Sequence, residues 1–211
     1  MQIEITEMQP KLDIAQKETE IMMEKLMIDR KEADIVQKTV SIEEAEATKQ
    51  ADQAEAIKQE AALGVADANL KLEKSVALIK QLNKTHIEFV KAIKMPTPTV
   101  KLVIAGVMIM LGEQPDLIPI PGTYGKKEEE YFVKCKRVFM NDPKKFLALL
   151  LDFADSNKNN IPLSRIKKLG KEIVVSESFN EKDSKKSCEA IMYLYYWVSA
   201  LYDYDQIYKS T

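Results

Sequence analysis

Three groups of basic residues carry the only concentrated chemistry in this sequence: Lys134, Lys136 and Arg137; Arg165, Lys167, Lys168 and Lys171; and Lys182, Lys185 and Lys186. Ammonium and guanidinium groups at this density attract an acidic surface, with steered association and binding that weakens as salt rises. Groups for covalent or metal chemistry are sparse. His86 is the only histidine, so neither a histidine-based triad nor a histidine metal cluster can be built. Cys135 and Cys188 stand far apart without metal-ligand spacing and read as packing thiols in a reducing compartment. No glycine loop of the phosphate-cradling kind is present, and the carboxylates lie mainly on helical surfaces without a distinctive pairing. The chain is expected to bind rather than catalyse, with no cofactor and no metal of its own.

Bulk charge narrows the partner. Of 211 residues, 31 are basic and 33 acidic, a net charge of −2, which excludes a strongly basic nucleic-acid binder. The charge is sorted along the chain: residues 1–95 carry 14 basic and 18 acidic side chains, and residues 96–211 carry 17 and 15. The most apolar stretch, Leu102 to Leu111, is about half the length needed to cross a bilayer, and the N-terminus lacks a secretory pattern. The expected setting is the cytoplasm, with neither nucleic acid nor membrane as partner.

The elements that must position these charges follow from composition and period. Between Met1 and Lys94 there is one proline, Pro10, and one glycine, Gly64, a composition that predicts one long helix over residues 1–94. Apolar residues recur every seven at Ile5, Leu12, Leu26, Ala33, Val40, Ala47, Ala54, Ala61 and Ala68, with companions at Met8, Ala15, Met22, Val36 and Ile57, the spacing of a coiled-coil seam. Thr19, Asp29, Glu43 and Gln50 interrupt it, and the opposite stripe, from Lys11 and Glu18 to Gln81 and Glu88, is polar throughout. A second stripe, Ile14, Ile21, Ile28, Ile35 and Ile42, widens the apolar face. It fits either a paired helix or a neighbouring domain. Near the end two frames compete, one through Val65, Leu72, Val76, Ile79, Val90 and Ile93, the other through Leu78, Leu82, Phe89 and Ala92. Neither register is uniquely specified, which permits sliding; Asn69 and Asn83 are polar seam positions in the first frame.

Met95-Pro96-Thr97-Pro98 cannot continue a helix. Pro98 suits the first turn of a new one, capped by Thr97 and ended by Gly112, apolar on nearly all sides and so the core helix of a small domain over residues 95–202. Gln114 to Gly125 reads as an ordered loop. Further helices are expected over Glu128 to Met140, from Asp142-Pro143 through Phe153, over Ile161 to Val175, and from Ser184 to Thr211, where Trp197 and the tyrosines read as packing.

The junction from Phe89 to Glu113, with its proline pair, Val100-Lys101-Leu102 and Leu111-Gly112, resembles the stalk tip of dynein heavy chains. Glu7-Met8-Gln9-Pro10, Glu55-Ala56-Ile57-Lys58, Asp142-Pro143 before Phe146-Leu147, Asn160-Ile161-Pro162, and Trp197-Val198 with Ala200 and Tyr204 match in order, so the resemblance spans essentially the whole chain. It implies an all-α fold: an outgoing stalk helix over residues 1–94, a helical microtubule-binding domain over 95–202, and the start of a returning stalk helix over 203–211, the rest of that helix being absent from this chain. It implies tubulin as partner, contacted by Lys101, Lys167 and Lys186, with Arg165, Lys168 and Lys185 nearby. It implies a motor ATPase with nucleotide sites outside this chain, of axonemal type and so ciliary or flagellar, in which a half-heptad slide of the stalk helices sets track affinity. Leu72, Val76, Ile79, Leu78, Leu82 and Phe89 would sense that slide, and Pro96 and Pro98 would form the kink. Two departures stand out: Glu189 replaces a lysine common in axonemal relatives, and Leu70 to Val76 lacks the usual proline. The competing readings are a coiled-coil scaffold with a terminal protein-interaction domain, and an enzyme domain for which the sequence offers no pocket chemistry.

Overall fold

A computed structural model describes the backbone of residues 2–210 and the side chains of residues 10–210. The seam residues Ile5 and Met8, the Glu7-Met8-Gln9 part of the family pattern, and Thr211 lie outside the residues so described. The chain falls into two units, residues 1–57 and 58–211.

The first unit is helical, the opening part of α1 (Gln2–Gln81). Threonine hydroxyls along it are satisfied locally: Thr19, Thr39 and Thr48 donate to the carbonyls of Ala15, Ile35 and Glu44 at 2.7, 3.0 and 2.8 Å. Leu12, Leu26 and Val40 of the seam, and Ile14, Ile21, Ile28, Ile35 and Ile42 of the second stripe, are all exposed. Together they leave a wide apolar face exposed.

In the second unit the long helix does not run to residue 94 as expected. It stops at Gln81, and α2 (Lys84–Ala92) starts afresh. Asn83 is extended, its side chain accepts from the His86 amide at 3.2 Å, and His86 Nδ1 accepts from the Asn83 amide at 3.3 Å, a reciprocal cap that satisfies two orphan donors. The apolar frames of the sequence are therefore not continuous across residues 82–83, and Asn83 acts as a cap.

The proline pair behaves as expected. The hydroxyl of Thr97 accepts from the Val100 amide at 3.4 Å, Pro98 opens α3 (Pro98–Leu111), and Gly112 closes it in the left-handed region at φ 87°. Val103, Ile104, Val107 and Met108 are fully buried, which makes α3 the centre of the core. At Gly106 a Cβ would lie 3.0 Å from Val198, so the glycine allows α3 to approach the final helix closely.

In place of the expected loop over 114–125 and single helix from Glu128, an antiparallel hairpin forms from β1 (Asp116–Pro119) and β2 (Lys127–Glu130), with Leu117 opposite Glu129 and Ile118 opposite Glu128. Glu128 to Glu130 is a poor strand sequence, but long-range ion pairs hold it: Arg137 to Asp116 at 2.9 Å and Lys168 to Glu129 at 2.7 Å. The helix that follows is short, α4 (Phe132–Val138), and Glu130 accepts from its Val133 amide at 2.9 Å.

Next come α5 (Pro143–Asp152), a π-helical turn over Phe153–Asn157, α6 (Leu163–Leu169) and a second π turn over Gly170–Val174. The last expected helix is divided: α7 (Glu181–Ser187), capped by Asn180, and α8 (Glu189–Ser210) meet at an extended Cys188.

On α8 one set of side chains faces α3 and the core and another, repeating every seven residues, faces α1. Val198 faces α3 and Trp197 faces Phe153, with ring centroids 5.9 Å apart, whereas Tyr193, Ala200 and Ile207 face α1. On α1 and just past its end, the buried series is Ala68, Leu72, Ser75, Ile79 and Leu82, spaced four and three. The two helices run antiparallel. Gly64 lies beside Ile207, Lys71 beside Asp203, Gln81 accepts from the Tyr193 hydroxyl at 3.5 Å, and on α2 His86 meets Glu189 at 3.4 Å. α8 thus lies against α1 from Tyr193 to Ile207.

Candidate functional site

The basic residues separate into outward and inward groups. Lys101 lies one turn into α3, held by the Thr97 cap and exposed, while Val100 and Val103 beside it are buried. Lys167 lies on α6 between buried Ile166 and Leu169 and faces outward. Neither forms an ion pair among the described residues. Lys186, in the last turn of α7, is exposed and has only Asp183 at 3.9 Å. Lys185 is tied to Glu181, which also accepts from the Tyr196 hydroxyl at 2.5 Å; those bonds lower the pKa of Glu181.

Arg165 and Lys168, which the resemblance placed near these lysines, bond within the fold. The Arg165 guanidinium donates to the Met110 carbonyl at 3.2 Å and covers Gly112, so it satisfies the open end of α3. Lys168 bonds Glu129 at 2.7 Å and sits over the Tyr131 ring at 5.5 Å. Burial works against its charge, but its bonds to Glu129 and Tyr131, with Glu172 nearby, outweigh that, and its pKa is raised. Both partners are far away in sequence, which is why spacing alone assigned these cations to the surface.

Substitution of Gly112 tests the α3 terminus. Gly112→Ala must place a Cβ at positive φ and 2.2 Å from the guanidinium of Arg165. The left-handed conformation alone costs roughly 1–2 kcal/mol, so the urea midpoint is expected to fall visibly, and an unchanged midpoint would contradict this account of the α3 end.

Lys186 lies at the edge of a depression between the start of α3 and α7. A cavity of about 470 Å³ is lined by Ile93, Thr99 and Val100 on one side and by Asp183, Lys186 and Ser187 on the other. Phe89 and Met95 line it too and are 59% and 90% exposed, an apolar component beside Lys186 that the sequence did not single out as a contact surface. Lys167 stands apart from this edge, two residues from the arginine that binds the far end of α3.

The stalk positions also divide. Leu72, Ile79 and Leu82 are buried, Val76 and Leu78 are partly buried against the core, and Phe89 is outside the packed seam. Pro96 is half-buried in the connection to α3. Glu189, the departure from the family pattern, sits against His86. Cys135 is buried and its thiol is pushed up to about 12 by that burial, and half-buried Cys188 is also raised by burial, so both are poor nucleophiles. Among the described residues no group of three or more histidine, cysteine, aspartate or glutamate side chains gathers to hold a metal, and no helix is long and apolar enough to cross a membrane.

No protein-family model matches the chain. Relatives do. Human dynein axonemal heavy chain 3 is 33% identical over 209 residues, 99% of this chain, and human dynein axonemal heavy chain 1 is 31% identical over 212 residues, all of it. A solved structure described as the microtubule-binding domain of dynein-c superposes with a TM-score of 0.52 at 28% identity, covering 69% of this chain and 89% of that one. The chain belongs to the dynein heavy-chain family. It spans about 5% of the length of those two relatives. The hairpin, absent from the sequence expectation, is the one β element described in an otherwise helical chain.

Proposed function

We propose that this chain binds microtubules as the tip of a dynein stalk, with Lys101, Lys167 and Lys186 supplying the electrostatic attraction to tubulin. The observation that carries this reading is the likeness to the dynein-c domain over most of that domain's length. The exposure of these three lysines, two without an ion pair, supports their role, since an unpaired surface cation loses no internal partner on binding. The parent protein is a microtubule motor ATPase of the ciliary or flagellar axoneme, its nucleotide sites lying outside this segment, in keeping with the axonemal names of the relatives.

Affinity in this reading depends on the register of α1 against α8. Two features suit a slide. The break at residues 82–83 frees α1 from moving as one rod with α2, and the buried Ser75 hydroxyl donates to the Leu72 carbonyl of its own helix at 2.7 Å, so it needs no partner on α8. Co-sedimentation of the chain with microtubules tests the proposal. Saturable binding supports it, and a folded chain that stays in the supernatant favours the scaffold reading.

A further inference from the structure

Lys158 and Asn159 follow the π turn of residues 153–157 and hold two different helices of the stalk. The Lys158 ammonium donates to Asn69 Oδ1 of α1 at 2.9 Å and stands over the Tyr204 ring of α8 at 5.4 Å. The Tyr204 hydroxyl in turn donates to Asn159 Oδ1 at 2.8 Å. The globular part thus grips α8 through aromatic packing and a tyrosine bond, and grips α1 through one charge-assisted hydrogen bond.

That bond has a second acceptor within one turn. Asn69 Nδ2 donates to Glu73 Oε1 at 2.7 Å, so the two side chains lie on one face of α1, four residues apart. If α1 slides by one turn, about 5.4 Å, so that Glu73 takes the place of Asn69, Lys158 exchanges an amide for a carboxylate. The same step carries Leu72, Val76 and Ile79 into the places of Ala68, Leu72 and Ser75, so that all three places are then apolar. A slide the other way offers Lys158 only Val65 or Ala66.

We infer that Lys158 is a register-positioning residue, bonding Asn69 in one stalk register and Glu73 in a second register one turn away. The inference gives a direction to the slide and rests on the register-dependent reading above. Elements that pass one another by a turn and find a new partner give two discrete states rather than a continuum.

A single thiol on α8 can report the choice. Gly64 faces Ile207, with a built Cβ 3.6 Å from its Cγ2, and Ala68 would face it after the proposed four-residue step, whereas Ala61 would after a slide of three residues the other way. In the full chain carrying Ile207→Cys, Gly64→Cys and Ala68→Cys, with Cys188→Ser, oxidation traps one of two disulfides, and peptide mapping gives their ratio. A second form with Ala61→Cys in place of Ala68→Cys reads the other direction. Glu73→Gln is expected to shift the ratio towards the Gly64 pair and Asn69→Ala towards the Ala68 pair, each by roughly three- to tenfold, the range for a charge-assisted bond that is partly solvated. In Lys158→Met both shifts should vanish, an outcome that a purely structural role for these side chains does not give. Shifts that persist without Lys158, no shift in either variant, or preferential trapping at Ala61 would each overturn the inference. Microtubule affinity of the two trapped forms is a separate readout: equal affinities would contradict register control while leaving the Lys158 bond in place.

Discussion

The triple substitution Lys101→Ala, Lys167→Ala, Lys186→Ala should lower microtubule affinity by roughly ten- to a hundredfold at low salt, taking about 0.5–1 kcal/mol for each exposed cation against a complementary surface. The fold should be unaffected. Lys101 and Lys167 make no ion pair among the described residues and Lys186 makes only a 3.9 Å one, so circular dichroism and the unfolding midpoint should match the parent chain. Lys168→Ala is the informative contrast: it removes the tie to Glu129 and the Tyr131 ring, and its effect should appear in stability more than in affinity. Equal loss of binding from both changes would mean that the outward and inward cations do not differ as their contacts indicate.

Trp197→Ala should destabilise the second unit by about 3–5 kcal/mol, the range for removal of a large buried aromatic, against a total of roughly 5–15 kcal/mol for an ordinary domain. Trp197 is fully buried on α8 and meets Phe153 at the start of the π turn. The cavity would open where α8, α5 and the segment bearing Lys158 come together. Chemical denaturation followed by circular dichroism should show a large fall in midpoint for the second unit; a fall of less than about 1 kcal/mol would show that the tryptophan is not central to this core. Trp197→Phe retains most of the packing and should lie between.

How far the sequence disclosed the molecule depended on the range of the interactions. Caps are local, so Thr97-Pro98 and Gly112 at the ends of α3, and Asp142-Pro143 at the start of α5, were legible. The break at Asn83 is also local, but its second half uses His86 as the reciprocal partner in place of the usual glutamate or glutamine, and the heptad frames on both sides concealed it. The hairpin was not legible because its second strand is an acidic run held by Lys168, 39 residues away. Arg165 and Lys168 looked like Lys167 for the same reason. Of the candidate contacts, Lys101, Lys167 and Lys186 lie on exposed turns, whereas the exposed Phe89 and Met95 beside Lys186 emerged only when α2, α3 and α7 were assembled.

Affinity for microtubules across a salt series tests the central claim most directly. The electrostatic screening length falls from about 30 Å at 0.01 M to about 8 Å at 0.15 M, so binding through exposed lysines should weaken steadily, with a logarithmic slope that becomes shallower in the triple variant. Binding by a folded chain that is independent of salt, or a slope unchanged when the three lysines are replaced, would contradict an electrostatic stalk tip built on Lys101, Lys167 and Lys186.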